Sequence, residues 1–162
     1  ILDARPRVGY FFTGKTGFNL MSDQIANISI DEVKSVPIIV DESTTVYDLI
    51  VTMFLENVGS IYVTDDGILS GVISRKDVIR TAIGGTDLHQ APVGVIMTRM
   101  PNIVYVKSND NILSAAEKLM EHEIDSLPVV EVIDEENKKY KVIGRITKTT
   151  ITRLFVELGK KT

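Results

Sequence analysis

Two stretches of this chain repeat one another without a gap. VDESTTVYDLIVTMFLENVGSIYV (40–63) lies over VKSNDNILSAAEKLMEHEIDSLPV (106–129) at a constant offset of 66 residues. Val40 answers Val106, Val46 Ile112, Leu49 Ala115, Met53 Leu119, Val58 Ile124, Ser60 Ser126 and Val63 Val129. Farther on, GVISRKDVI (71–79) answers GRITKTTIT (144–152) at an offset of 73 residues. The seven extra residues fall in the polar stretch DEENKKYK (134–141), where a hairpin loop lengthens with little loss of entropy. A duplication of this kind settles the architecture before any motif is weighed.

Each copy opens on a short apolar strand, 36–40 or 103–106. Polar residues suited to capping a helix follow, Ser43-Thr44 or Asn109-Asp110. Val46, Leu49, Ile50, Met53 and Phe54 then fall on one face at helical spacing, as do Ile112, Ala115, Ala116, Leu119 and Met120. Two strands come next, 60–63 and 69–74 in the first copy, joined through the hairpin pair Asp66-Gly67. A second helix closes each unit, 75–83 or 148–158. The expected fold is α/β (α+β), strand-helix-strand-strand-helix twice over. The first repeat is placed at 33–83, a linker opening on Gly84-Gly85 at 84–92, and the second repeat at 93–159, after an N-terminal extension at 1–32. Within that extension, the aromatic alternation of 5–16 suits a hairpin, and 22–33 reads as a short helix followed by an extended entry into the first repeat.

Composition narrows the function classes. Of the 162 residues, 44% are hydrophobic and 25% charged, enough to fill a globular core. The net charge of -4 and pI near 5.2 oppose a nucleic-acid backbone unless basic groups cluster. The densest basic stretch, 137–141, follows Glu135 and Glu136 and reads as a solvated loop. Without cysteine there is no disulfide, thiolate nucleophile or cysteine zinc site. His89 and His122 belong to no metal-ligand spacing. The apolar runs fall far short of a membrane span and nothing resembles a signal peptide, so a cytoplasmic protein without membrane contact is expected. The chain opens on Ile1 rather than methionine, as a piece of a longer one would.

GYFFTGKT (9–16) fits the Walker A spacing, and PIIVDES (37–43) reads like a Walker B strand. The context opposes both. The residues before Gly9 are charged and broken by Pro6, the loop interior is bulky Tyr10-Phe11-Phe12, and Gly17 weakens a helix at its start. PIIVDE is already the first strand of repeat one. No triad, carboxylate pair or metal set is present to carry catalysis, so a non-enzyme is expected.

PIIV, VGSIYVTDDGILSGVISRKDV, VIMTRMPNIVYV, IDSLPVV and GRITKT together resemble the CBS domain, whose tandem pairs pack sheet to sheet as a Bateman module. The resemblance covers residues 33–159. The chain is most similar to the ligand-binding part of CBS-pair winged-helix repressors of gluconeogenic genes in Gram-positive bacteria, with LDARPRVGYFFTGK (2–15) like the end of the wing and its linker. The resemblance implies an adenine nucleotide as regulatory ligand, ADP or ATP first and AMP next, with no cofactor required. It also implies a homodimer through the CBS repeats, and DNA contact only through a domain absent from this chain. The rival readings are a ligand-free dimerisation scaffold and a regulatory appendage of a transporter or metabolic enzyme.

Ser74 and Asp77, three apart at a helix start, form a capping box by spacing alone. The resemblance adds a ligand: Ser74 and the helix N-terminus would take a phosphate, Asp77 the ribose 2′- and 3′-hydroxyls, with Arg75 and Lys76 adding positive charge. The base would be held by the other repeat, at Asn102, Ile103 and Val104, then at Ile124, Asp125, Ser126 and Pro128. Arg99 is a further candidate for phosphate. The matching second cleft has Thr147, Lys148 and Thr150, faced by Pro37, Ile38, Val58, Gly59 and Ser60. Thr150 stands where the carboxylate belongs, and one hydroxyl cannot accept from a diol as a carboxylate does, so this site is expected to be weaker, empty or differently occupied.

Overall fold

The structure, a computed structural model, describes residues 20–160. The Walker-like stretch 9–16, the wing-like stretch 2–15 and the expected hairpin 5–16 lie outside the described residues. In chain order the elements are α1 (Met21–Ala26), α2 (Ile30–Val33), β1 (Ile39–Asp41), α3 (Val46–Glu56), β2 (Ser60–Asp65), β3 (Ile68–Ser74) and α4 (Arg75–Ile83). A 3-10 turn at Val93–Val95 leads to β4 (Thr98–Arg99), β5 (Val106–Lys107), α5 (Ile112–Glu121), β6 (Ser126–Asp134), β7 (Lys139–Thr147) and α6 (Lys148–Gly159). Each repeat is the expected strand-helix-strand-strand-helix unit. The first strands start later than expected, at Ile39 and Val106.

The strands form one mixed sheet in the order β1-β2-β3-β7-β6-β5, with β4 added on β3. Within it β1 runs parallel to β2 and β5 to β6, while the hairpins are antiparallel. The halves meet along the strands at one residue pair, Ile68 opposite Lys141. Their apolar faces share a cluster of Tyr62, Leu69, Ile103, Val130, Tyr140 and Val142. The expected sheet-to-sheet contact is therefore made by two halves of one sheet. Two further clusters lie beneath the helices, one around Leu49, Ile61, Val63 and Ile73, the other around Ala115, Leu127, Val129 and Ile146.

Both hairpins carry a register shift at the same point of the repeat, between Val63 and Thr64 and between Val129 and Val130. Side chains alternate faces along a regular strand, so Leu69 and Ile73 would share one. The bulge separates them: Ile73 enters the helix-side cluster and Leu69 the shared one. Tyr140 and Val142 are divided from Ile146 in the same way. Each hairpin thereby supplies apolar side chains to two cores.

Two local expectations shift. The N-caps are Thr45, whose Oγ1 accepts from Asp48 N at 3.1 Å, and Asn111, whose Oδ1 accepts from Ser114 N at 2.8 Å. Each stands one residue after the pair expected, because the earlier residues close the turn out of the strand. Asp41 Oδ1 accepts from Ser43 N at 2.8 Å and Asp110 Oδ2 from Lys107 N at 2.8 Å. The buried helical stripe is also narrower than expected. Val46, Leu49 and Met53 are buried, as are Ile112, Ala115 and Leu119, but Phe54 is 83% and Met120 64% exposed. Those two stand 66 positions apart, so both repeats leave the same helix edge uncovered.

The segments leading into the repeats are exchanged. Residues before repeat one bond to repeat two: Ile112 N donates to Ile28 O at 3.0 Å and Ile30 N to Asp110 O at 2.9 Å. Residues leading into the first strand of repeat two bond to repeat one in the same pattern, Val46 N to Ala91 O at 2.9 Å and Val93 N to Thr44 O at 2.7 Å. Ser35 and Arg145 then trade backbone bonds of 3.0 Å each way, and β4 lies along β3 with Arg99 opposite Gly71. Ile25 and Ile30 are buried in the second repeat's helix cluster, Val93 and Met97 in the first's. The extended entry expected before repeat one is instead a single helical turn, α2.

Where these straps cross the hairpins, each repeat has a glycine. A Cβ on Gly71 would collide with Met97 Sδ and stand 2.6 Å from its Cγ, and one on Gly144 would meet Lys34 Cδ at 2.7 Å. Met97 is buried, whereas Lys34 keeps a quarter of its side chain in solvent and can swing aside. Gly71→Ala should therefore destabilise the fold by about 1–3 kcal/mol and Gly144→Ala by clearly less. Urea denaturation of the two variants gives the comparison; equal losses would show that the straps yield alike.

Candidate functional site

The last strand of each repeat runs directly into its closing helix, and the turn is a capping box in both. Asp77 Oδ2 accepts from Ser74 N at 2.9 Å and Ser74 Oγ at 3.0 Å, while Asp77 N donates to Ser74 Oγ at 3.4 Å. In the second repeat Thr150 N donates to Thr147 Oγ1 at 3.1 Å, Thr147 N to Thr150 Oγ1 at 3.4 Å, and the two hydroxyls stand 3.1 Å apart. The geometry is shared and the chemistry is not. Asp77 keeps its second oxygen, Oδ1, at 3.9 Å from Arg80 Nη1, as a further acceptor. Thr150, 9% exposed, has its single hydroxyl engaged by the cap.

A cavity of about 520 Å³ opens where the two repeats meet. Val58, Gly59 and Ser60 line it from the entry to β2, and Asp125 and Ser126 from the entry to β6. Arg75 reaches it from the start of α4, and Thr147, Lys148 and Thr150 from the start of α6. Residues assigned to both clefts thus share one space. The arrangement of the entries is again duplicated, Arg75 N donating to Gly59 O at 3.0 Å and Lys148 N to Asp125 O at 3.0 Å. The volume lies in the usual range for a small-molecule pocket.

Other residues named from the sequence lie elsewhere. Ser74 and Asp77 are half-buried and Lys76 and Asn102 exposed, and none of the four lines the cavity. Arg99 donates through Nη2 to Gly94 O in its own strap and holds Nη1 3.8 Å from Glu42 Oε1 in repeat one. Ile103 belongs to the shared core, and with Val104 it borders a separate opening of about 440 Å³ beside Tyr105, Lys107, Asp110 and Lys118. Ile124 packs on the second helix cluster, Ile38 on the first, Pro128 is buried opposite Arg145, and Pro37 is half-buried. Among the described residues no group of three or more His, Asp and Glu gathers as a metal site, and no helix is long and apolar enough to cross a membrane.

The cavity also contains residues the sequence did not single out: Ser35, Asn57, Arg145 and Arg153. Arg153 follows Thr149 by one helical turn, so α6 periodicity was a signal for it. Ser35 arrives only through strap exchange, where Arg145 Nε donates to its Oγ at 3.2 Å. Behind Ser126 lies Tyr62, 1% exposed, with its hydroxyl 2.9 Å from Ser126 Oγ. Pro128 stands 66 positions after Tyr62, so the second repeat has no equivalent bond.

Burial pushes the Tyr62 phenol up to about 12, against the smaller opposing pulls of the Ser126 bond and the Arg145 charge. A raised phenol favours its neutral form in the folded state. That stability is fully present below the unfolded value near 10 and is lost as pH rises through about 12. The loss amounts to roughly 2–3 kcal/mol for a shift of this size. Tyr62→Phe should flatten the fall in urea midpoint between about pH 10 and 12; an unchanged slope would place the titrating group elsewhere.

The comparisons with known proteins match this arrangement. The family model of the CBS domain matches residues 28–84 and 93–157. The transcriptional repressor CcpN of Bacillus subtilis (strain 168) is 47% identical over 160 residues, 98% of this chain and 74% of the relative. The crystal structure of CBSX2 in complex with AMP superposes with a TM-score of 0.66 at 24% identity, covering 82% of this chain and 99% of that one. The CBS domain pair of protein MJ0100, in complex with 5′-methylthioadenosine and S-adenosyl-L-methionine, gives a TM-score of 0.65 at 22% identity, over 83% of this chain and 98% of that one. With two matched repeats and their shared sheet, this chain belongs to the CBS domain family as a tandem pair.

Proposed function

We propose that this CBS pair is the adenine-nucleotide-sensing regulatory module of a cytoplasmic transcriptional repressor, with ADP or ATP as ligand and AMP as the next choice. The observation that carries the reading is the cavity at the repeat junction, where α4 and α6 begin among cationic side chains. Helix N-termini present N–H groups without intrahelical partners and favour anions such as phosphate. The kinship with CcpN supports the repressor role, and the AMP and S-adenosyl-L-methionine complexes of similar folds support an adenosine ligand. The reading is non-catalytic.

In this reading Ser74 and the first turn of α4 take phosphate, and Asp77 Oδ1, which lies outside the cap and pairs with Arg80, accepts from the ribose diol. Arg75 and Lys76 add charge, and Ser126 and Asp125 face the ligand from the other repeat. Of the residues assigned to the base, Asp125 and Ser126 line this cavity, whereas Arg99, Asn102, Ile103, Val104, Ile124 and Pro128 do not. DNA would be contacted by a separate domain of the full-length protein. Coupling to it requires the nucleotide to favour one arrangement of a homodimer over another. The exposed Val51, Phe54 and Leu55 on α3, with Ile79 and Ile83 on α4, support a dimer formed through the CBS repeats.

Two measurements test this. At one hundred times its dissociation constant, a nucleotide that binds only the folded state should add about 2.7 kcal/mol of stability, read as a rise in Tm. No rise with ADP, ATP or AMP would favour a ligand-free scaffold. Asp77→Ala should lower stability by about 1 kcal/mol through the lost cap and also weaken ribonucleotide binding in titration calorimetry. Lost stability with unchanged affinity would leave Asp77 a capping residue only.

A further inference from the structure

We infer that Tyr62, which does not itself line the cavity, is a positioning residue for it: its buried hydroxyl donates to Ser126 Oγ and so turns the Ser126 proton toward the ligand. The inference rests on the nucleotide reading above and concerns a residue of the opposite repeat that prepares one contact of that site. Ser126 lines the cavity, and the Tyr62 hydroxyl stands 2.9 Å behind its Oγ. Tyr62 comes from β2 and Ser126 from β6, so the bond crosses the junction of the repeats.

Which partner donates follows from what surrounds them. Tyr62 is 1% exposed and belongs to the cluster shared by both halves, with Leu69, Ile103, Val130 and Val142. None of those four side chains accepts a hydrogen bond. Arg145, whose charge reaches the same phenol, has donors only. Among the described residues Ser126 Oγ is the partner of this hydroxyl. If Ser126 donated instead, the phenol proton would be sealed in the core without an acceptor, which is the costlier state. Ser126 is half-buried and can pass its own proton to whatever occupies the cavity. Burial also raises the phenol to about 12, so it carries its proton at neutral pH.

A serine that accepts from a phenol is held in one orientation and polarised as a donor. The cavity thereby gains an O–H group aimed at an acceptor atom of the ligand. The first repeat shows the contrast. Ser60 answers Ser126 and lines the same cavity, but Pro128 stands where Tyr62 would be. No phenol reaches Ser60 from that position, and its hydroxyl can turn to give or to accept. Two serines of equivalent place therefore differ in one respect: only Ser126 has its proton assigned.

Calorimetric titration with ATP, ADP and AMP, on wild type, Tyr62→Phe, Ser126→Ala and the double variant, tests this. Tyr62→Phe keeps the ring and its packing and removes only the hydroxyl. It should weaken the tightest of the three nucleotides about threefold or more, and Ser126→Ala should weaken it at least as much. The double variant should bind no more weakly than Ser126→Ala, because Tyr62 acts through Ser126 alone. A merely structural role would lower Tm and leave affinity unchanged in Tyr62→Phe; that result overturns the inference while the nucleotide reading stands. So does an effect of Tyr62→Phe that persists undiminished beside Ser126→Ala, which would place its action in the shared core. No binding of any of the three nucleotides by wild type overturns both.

Discussion

The crossing of the two lead-in straps is the contact on which the rest of this structure depends. Each repeat alone has an uncovered helix start and an uncovered hairpin edge. The strap before the other repeat covers both: Ile28 and Ile30 bracket Ile112 as Ala91 and Val93 bracket Val46. The exchange supplies buried side chains, Ile25 and Ile30 to one helix cluster and Val93 and Met97 to the other. It also supplies the backbone partners that buried N–H and C=O groups require. The hairpins accept the straps because glycine stands at both crossing points, Gly71 and Gly144. Neither half has a complete core without the chain of the other.

This crossing also builds the site. Ser35 reaches the cavity on a strap, and Arg145 is fixed on β7 by the backbone bonds and side-chain bond it shares with Ser35. The strap of repeat two holds Arg99 against Gly94 and Glu42, away from that space. Pseudo-symmetry brings the starts of α4 and α6 to the same region, and the substitution of Thr150 for a carboxylate makes them chemically unequal. A duplicated geometry with unequal chemistry suits a regulatory module, since Arg75 at one helix start and Thr147 and Lys148 at the other face a single cavity with different side chains. The bond between Tyr62 and Ser126, which has no counterpart in the other half, is a second break in the symmetry.

Much of the fold was legible in the sequence. The offset of 66 residues located both units, and the starts of α4 and α6 fell at the residues expected. Caps and first strands moved by a few residues, because Asp41 and Asp110 close turns that local pattern does not separate from helix starts. Phe54 and Met120 read as core by helical spacing, yet a helix lying on one sheet face buries only its central stripe, and both stand at its edge. The bulges at Val63 and Val129 left no mark in composition, being set by how each hairpin must divide its side chains between two cores.

By itself the sequence determined the duplicated unit, its element order, the capping boxes at Ser74 and Thr147, and the missing carboxylate at Thr150. These are local or periodic properties, written in residues near one another along the chain. Tertiary structure alone decided that the straps exchange, that Arg75, Arg145 and Arg153 share one cavity, and that Arg99 turns away from it. Ser35 and Arg145 are 110 positions apart, and no spacing rule joins them. Their meeting depends on which surfaces remain uncovered after each half has folded, and that is a property of the packed whole.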